Sequence, residues 1–131
     1  MELALNPYQI YQQNAVMMAG PGELTAMLYD GAIRFLNQAR QAITKKDIPA
    51  AHQSLIRAQD IISYLNNTVN TTYEVGANLA AIYDYVLRRL VEANMKKDAA
   101  IIDEAIDLIK DLSATWREAM TRARQNGAGA P

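Results

Sequence analysis

Residues 47–69 read DIPAAHQSLIRAQDIISYLNNTV, and their apolar spacing decides the fold class. Ala51, Leu55, Ala58, Ile62, Leu65 and Val69 recur at gaps of four and three. Those gaps place all six on one side of an α-helix, whereas a half-buried strand alternates every second residue. Asp47 is a candidate N-cap, and Pro49 is tolerated in a first helical turn. The pattern breaks up in Asn66-Asn67-Thr68-Val69-Asn70-Thr71-Thr72, a polar and β-branched stretch that helices carry poorly.

The same reading extends in both directions. Upstream, Gly20-Pro21-Gly22-Glu23 looks like a helix start, with proline early and an acid near the positive end of the dipole. Leu24, Leu28, Gly31, Phe35, Ala39 and Ala42 then recur at spacings of three and four as far as Lys45-Lys46. Downstream, Thr71 and Glu74 fit a capping box. Val75, Leu79, Ile82, Val86, Leu90 and Ala93 line a third helix. Asp98 can cap a fourth, which carries Ile101, Ala105, Leu108, Ile109, Leu112, Trp116 and Ala119 and stops at Asn126-Gly127. The expected helices cover about 22–45, 48–68, 74–95 and 98–124. They form a bundle over 21–125, after an N-terminal arm of residues 1–20 and before a flexible tail of 126–131. Helices of about 20 residues are roughly 30 Å long, and their short connections make sequence neighbours antiparallel. The fold class is therefore all-α, an antiparallel up-down-up-down four-helix bundle with an N-terminal arm or short helix.

Composition narrows the function. The chain has 131 residues, half of them apolar and about a fifth charged, which suits one domain with one core. A net charge of -1 argues against nucleic acid as a partner. Lys45-Lys46, Arg88-Arg89 and Lys96-Lys97 are short basic pairs among acids and read as solvated faces. The absence of cysteine removes disulfides, thiol nucleophiles and zinc-thiolate sites. No apolar run reaches the roughly 20 residues that span a bilayer, and the N-terminus lacks the regions of a secretory signal. The expectation is a cytoplasmic protein without membrane insertion.

No catalytic constellation emerges. His52 is the one histidine. A di-iron bundle needs Glu-x-x-His pairs, but Pro49 stands three residues before it. Gly20-Pro21-Gly22 lacks the spacing and the Lys-Ser/Thr of a phosphate loop. Asp103 and Asp107 lie one turn apart on an expected solvated face. We therefore expect no enzyme, cofactor or metal.

The unusual feature is surplus apolar surface. On the third helix Gly76, Ala80, Tyr83, Leu87 and Val91 form a second stripe, mostly turned by roughly 100° or more from the core seam. Ile61, Tyr64 and Thr68 repeat this more weakly on the second helix, and Tyr29, Ile33 and Leu36 on the first. Such flanks either complete a wide core stripe or offer a partner site. The arm NPYQIYQQNAV, residues 6–16, carries no charge. Its Tyr8, Tyr11, Ala15 and Met18 have spacings of three, four and three, so they can share one face of a short helix. That helix would either cap the bundle end permanently or rest in an apolar groove until a partner helix displaces it.

Several blocks resemble the flagellar export chaperone family FliS. They are Asn6-Pro-Tyr-x-x-Tyr-Gln-Gln-Asn14, Pro21-Gly-Glu-Leu-Thr25, Met27-Leu-Tyr-Asp-Gly31, Arg57-Ala58-Gln59 with Ile61-Ile62 and Leu65, Ile82-Tyr-Asp-Tyr85 with Arg88-Arg-Leu-Val-Glu-Ala-Asn94, and Trp116. The resemblance runs along nearly the whole chain. It implies a four-helix bundle that binds the C-terminal segment of flagellin in the cytoplasm, prevents premature polymerisation, and is recognised by the cytoplasmic domain of the flagellar type III export gate. It also implies an arm that occupies part of the client groove in the free protein. Two departures stand out. Ala19-Gly20 replaces the frequent Ser or Thr before the first helix, and Tyr73-Glu74-Val75-Gly76 replaces a glycine pair before the third.

The expected partner-binding residues are Tyr8, Ile10 and Tyr11 on the arm, and Ile61, Tyr64, Tyr83, Leu87, Arg88 and Val91 on the bundle. Asp84 and Arg88, one turn apart, are expected to pair on the helix surface or to meet polar groups of the client. The free protein is expected to be a monomer or a weak homodimer. The alternative reading is a structural bundle that homodimerises through its second stripe, or a regulatory adaptor.

Overall fold

The computed structural model describes residues 21–125. The expected arm, with Tyr8, Ile10 and Tyr11, and the expected tail lie outside these residues. Four helices follow one another: α1 Pro21–Thr44, α2 Ile48–Thr68, α3 Glu74–Lys96 and α4 Ala99–Gln125. No strand occurs among the described residues. The strong packing pairs are α1 with α2, α2 with α3, α3 with α4, and α4 with α1. The helices thus close a ring in chain order, as short connections dictate, and α1 faces α3 across its diagonal.

One device makes two of the corners. After α1, Lys46 takes a left-handed backbone (φ 61°). Its N–H then reaches Ile43 O at 3.0 Å, and the Asp47 N–H reaches Ala42 O at 2.8 Å. The Asp47 carboxylate accepts the Ala50 N–H at 3.2 Å, so one residue finishes a turn and caps α2. After α3, Lys97 is left-handed (φ 50°), the Asp98 N–H bonds Ala93 O at 3.1 Å, and Asp98 Oδ1 accepts the Ala100 N–H at 2.9 Å. Both Lys-Lys-Asp corners lie at the same end of the bundle.

The remaining corner corrects the expected capping box. Tyr73, not Thr71, stands at the N-cap of α3, and no side chain caps the helix. Asn70 organises this turn instead. Its side-chain oxygen accepts the Thr72 N–H at 3.0 Å, and its carbonyl accepts the Tyr73 N–H at 3.4 Å. The backbone of Asn70 passes so close to Gly76 that a Cβ there would sit 1.9 Å from Asn70 O. Only glycine admits that approach.

The core follows the sequence pattern closely on α2, where Ala51, Leu55, Ala58, Ile62 and Leu65 are all buried. On α3 it does not. Val75, expected at the seam, is 70% exposed, while Gly76, Tyr83, Val86, Leu90 and Ala93 are buried. A helix in a ring touches two neighbours, so its buried stripe is wider than one seam, and that of α3 is turned towards Tyr83. Ala119 of α4 is likewise exposed. The stripe there passes through Ser113, Trp116 and Met120, and the Trp116 indole donates to Gly22 O on α1 at 2.7 Å.

Candidate functional site

The seams between helices are unequal. Those made by α4 are laced with charge. Glu104 accepts from the Tyr85 hydroxyl at 2.6 Å and from Arg89 Nε at 2.8 Å, tying α4 to α3. These two donors hold the Glu104 carboxyl below the usual carboxylate range. Arg40–Asp103 at 2.9 Å and Arg117–Asp30 at 2.6 Å tie α4 to α1.

Between α2 and α3 the described residues form no ion pair. Two neutral-donor ties bracket this seam: Asn66 Nδ2 donates to Asp84 Oδ1 at 2.9 Å, and Asn94 and His52 are hydrogen-bonded 2.9 Å apart. Between and beyond them lies a groove of about 390 Å³ bounded by His52, Ile56, Gln59, Val91, Asn94, Met95 and Lys97. Val91 is 47% exposed and Met95 80%. With Ile56 of α2, 39% exposed, they form an open apolar surface on two helices that is suited to another chain.

A second concavity, of about 540 Å³, opens at the end of the bundle opposite the Lys-Lys-Asp corners. Leu65, Val69, Val75, Leu79 and Trp116 line it, and Tyr29 and Tyr83 share the wall. The two tyrosine hydroxyls meet across the bundle diagonal at 2.6 Å. Burial raises both phenolic pKa values above the ordinary tyrosine value. The pair stays neutral at physiological pH.

These positions divide the expected bundle residues among four places. Leu87 and Val91 lie on the α2-facing side of α3, and Val91 lines the groove. Leu87 is partly buried and packs against the core. Ile61 and Tyr64 lie on the other side of α2, four and seven residues from Arg57, whose guanidinium sits over the Phe35 ring of α1. Ile61 is partly buried there, and Tyr64 is 51% exposed. Tyr83, expected on the groove surface, is 2% exposed and belongs to the diagonal pair. Arg88 does not pair with Asp84: it lies over the Tyr85 ring, 5.9 Å from its centroid, while Asp84 holds Asn66. The cross-helix bond takes the Asp84 carboxylate that the local pair would need. Gln59, Met95 and the Tyr29–Tyr83 bond were not anticipated as features of a site. The one sequence signal for the bond is that Tyr29 and Tyr83 both occupy second stripes, on helices one and three.

No group of three or more histidine, aspartate or glutamate side chains among the described residues could hold a metal ion, and no described helix is long and apolar enough to cross a membrane. What the fold presents is a helical binding protein with open apolar grooves. The model of the flagellar protein FliS matches residues 4–123, and the chain belongs to that family, whose members are chaperones and not enzymes. The flagellar secretion chaperone FliS of Bacillus subtilis is 44% identical over 124 residues, covering 95% of this chain and 93% of its own. That of Salmonella typhimurium is 33% identical over 121 residues, covering 88% and 87%. A bacterial flagellar chaperone known from its crystal structure shares the fold with a TM-score of 0.74 at 20% identity, over 88% of this chain and 95% of its own.

Proposed function

We propose that this protein is a cytoplasmic export chaperone that binds the C-terminal segment of flagellin, prevents its premature polymerisation, and delivers it to the export gate. The observation that carries the reading is the unevenness of the seams. Charge closes both seams of α4, while the α2–α3 groove and the end cavity stay open and apolar. Apolar grooves along helices suit amphipathic helices. Two grooves on different faces suit a client that is disordered when free and wraps as it folds. The family and the secretion-chaperone relatives supply the flagellar context.

The N-terminal segment acts as the competitor of the client. It joins α1 at Pro21, at the same end as the cavity lined by Thr25 and Tyr29. Tyr8, Ile10 and Tyr11 offer the apolar area that an empty cavity would otherwise expose to water. Polymerisation of purified flagellin, followed by light scattering, tests the reading. Added chaperone should suppress it in proportion, with full suppression at a one-to-one ratio. Flagellin that polymerises unimpeded in excess chaperone would sink the reading. Deleting residues 1–18 should speed client association, and a slower rate would make that segment a direct contact.

A further inference from the structure

We infer that the α2–α3 groove reads two polar features of the client helix, and that Gln59 and Lys97 are the readers. This inference rests on the chaperone reading above.

Gln59 lines the groove, yet its Oε1 is buried without a hydrogen-bond partner. It is the one such side-chain atom among the described residues. A buried acceptor left unpaired destabilises the protein that carries it. The last torsion of a glutamine is soft, so the amide can turn towards a donor held in the groove. A client that supplies an N–H or O–H donor there repairs the deficit.

Lys97 closes the other end of the groove. Its ammonium is held by the carbonyl and the side-chain oxygen of Asn94. Both are neutral acceptors, and no described carboxylate pairs with Lys97. The exposed Lys45 and Lys46 stand at the same end of the bundle. The aspartates of the two corners are committed to capping. The groove is therefore apolar along Ile56, Val91 and Met95, with an unsatisfied acceptor at one end and positive charge at the other. The complementary occupant is an amphipathic helix with aliphatic residues on one face, a donor opposite Gln59 and a carboxylate opposite Lys97.

The spacing of those features follows from the two helices. Gln59 lies seven residues beyond His52, about 10 Å along α2. The Lys97 ammonium folds back onto Asn94, which bonds His52, so the positive charge sits level with His52. A client helix must place its donor and its acid about 10 Å, or roughly seven residues, apart, two turns that keep both on one face. This fixes register as well as affinity.

The test uses the full chain and the C-terminal helical segment of flagellin as probe, with Gln59→Leu and Lys97→Gln as variants. Gln59→Leu should raise Tm by a few degrees, because the orphan acceptor is gone, and weaken client binding about three- to ten-fold. Lys97→Gln should flatten the dependence of client affinity on salt. A Gln59→Leu protein that binds as tightly as the wild type overturns the inference while leaving the chaperone reading intact. So does one that is less stable than the wild type, since Gln59 would then be structural. A wild-type chain that fails to bind the probe overturns both.

Discussion

Replacing Tyr83 by phenylalanine should cost far more than replacing Tyr83 and Tyr29 together. The two hydroxyls are 2.6 Å apart, and both residues are 2% exposed. Neither single change alters ring shape, so no cavity forms. Each single variant loses the bond and strands the other hydroxyl inside the protein, at about 1–3 kcal/mol. The double variant strands nothing and should lie within about 1 kcal/mol of the wild type. The two single costs together therefore exceed the double cost by at least about 1 kcal/mol. For a domain of this size each kcal/mol is roughly 3–6 °C in Tm. Urea unfolding followed by circular dichroism on all four proteins closes the cycle. Additive costs, or a double variant weaker than either single, would refute the diagonal bond as a coupled pair. Alkali gives an independent check. Both phenols have folded pKa values above the ordinary value. Their contribution is full below about pH 10, where unfolded tyrosine ionises, and is lost as pH rises towards the folded values. The double variant should lose less stability than the wild type on going from pH 9 to pH 11.

Other expectations concern the corners and the charged seam. Gly76→Ala must push the Asn70 carbonyl back by more than 1 Å from the 1.9 Å approach; it should destabilise by about 1–3 kcal/mol, despite alanine's better helix propensity, as chemical denaturation will report. Lys46→Gly removes the strain of a left-handed lysine and should stabilise by up to about 1 kcal/mol, read as a higher urea midpoint. Glu104 has a lowered carboxyl pKa through Tyr85 and Arg89. Its contribution is present above the unfolded glutamate value and is lost as pH falls through the lowered one, so Glu104→Gln should make stability less sensitive to acid than in the wild type.

Much of the bundle was legible because helix periodicity and cap chemistry are local. The α2 seam from Ala51 to Leu65 is buried as its spacing indicates, and Asp47 caps where a short polar side chain before Pro49 should. What escaped depends on chain segments far apart. Thr71 was passed over as a cap because Asn70 folds back on Gly76, an approach that no pattern of residue types encodes. Tyr83 went inside because a ring of helices buries a second flank, and Tyr29 supplied its hydroxyl with a partner 54 residues away. Asp84 found Asn66 rather than Arg88 for the same reason. The surplus apolar flanks were visible in the sequence. Their division between core and groove was not, because it is set by which neighbour each flank meets.

Titration of the purified chain with the C-terminal helical segment of flagellin in a calorimeter, at several temperatures, tests the chaperone function most directly. One-to-one binding with a clearly negative heat-capacity change is expected, since a disordered client folds as it covers the open grooves. No heat at any temperature, with both partners intact, would contradict it.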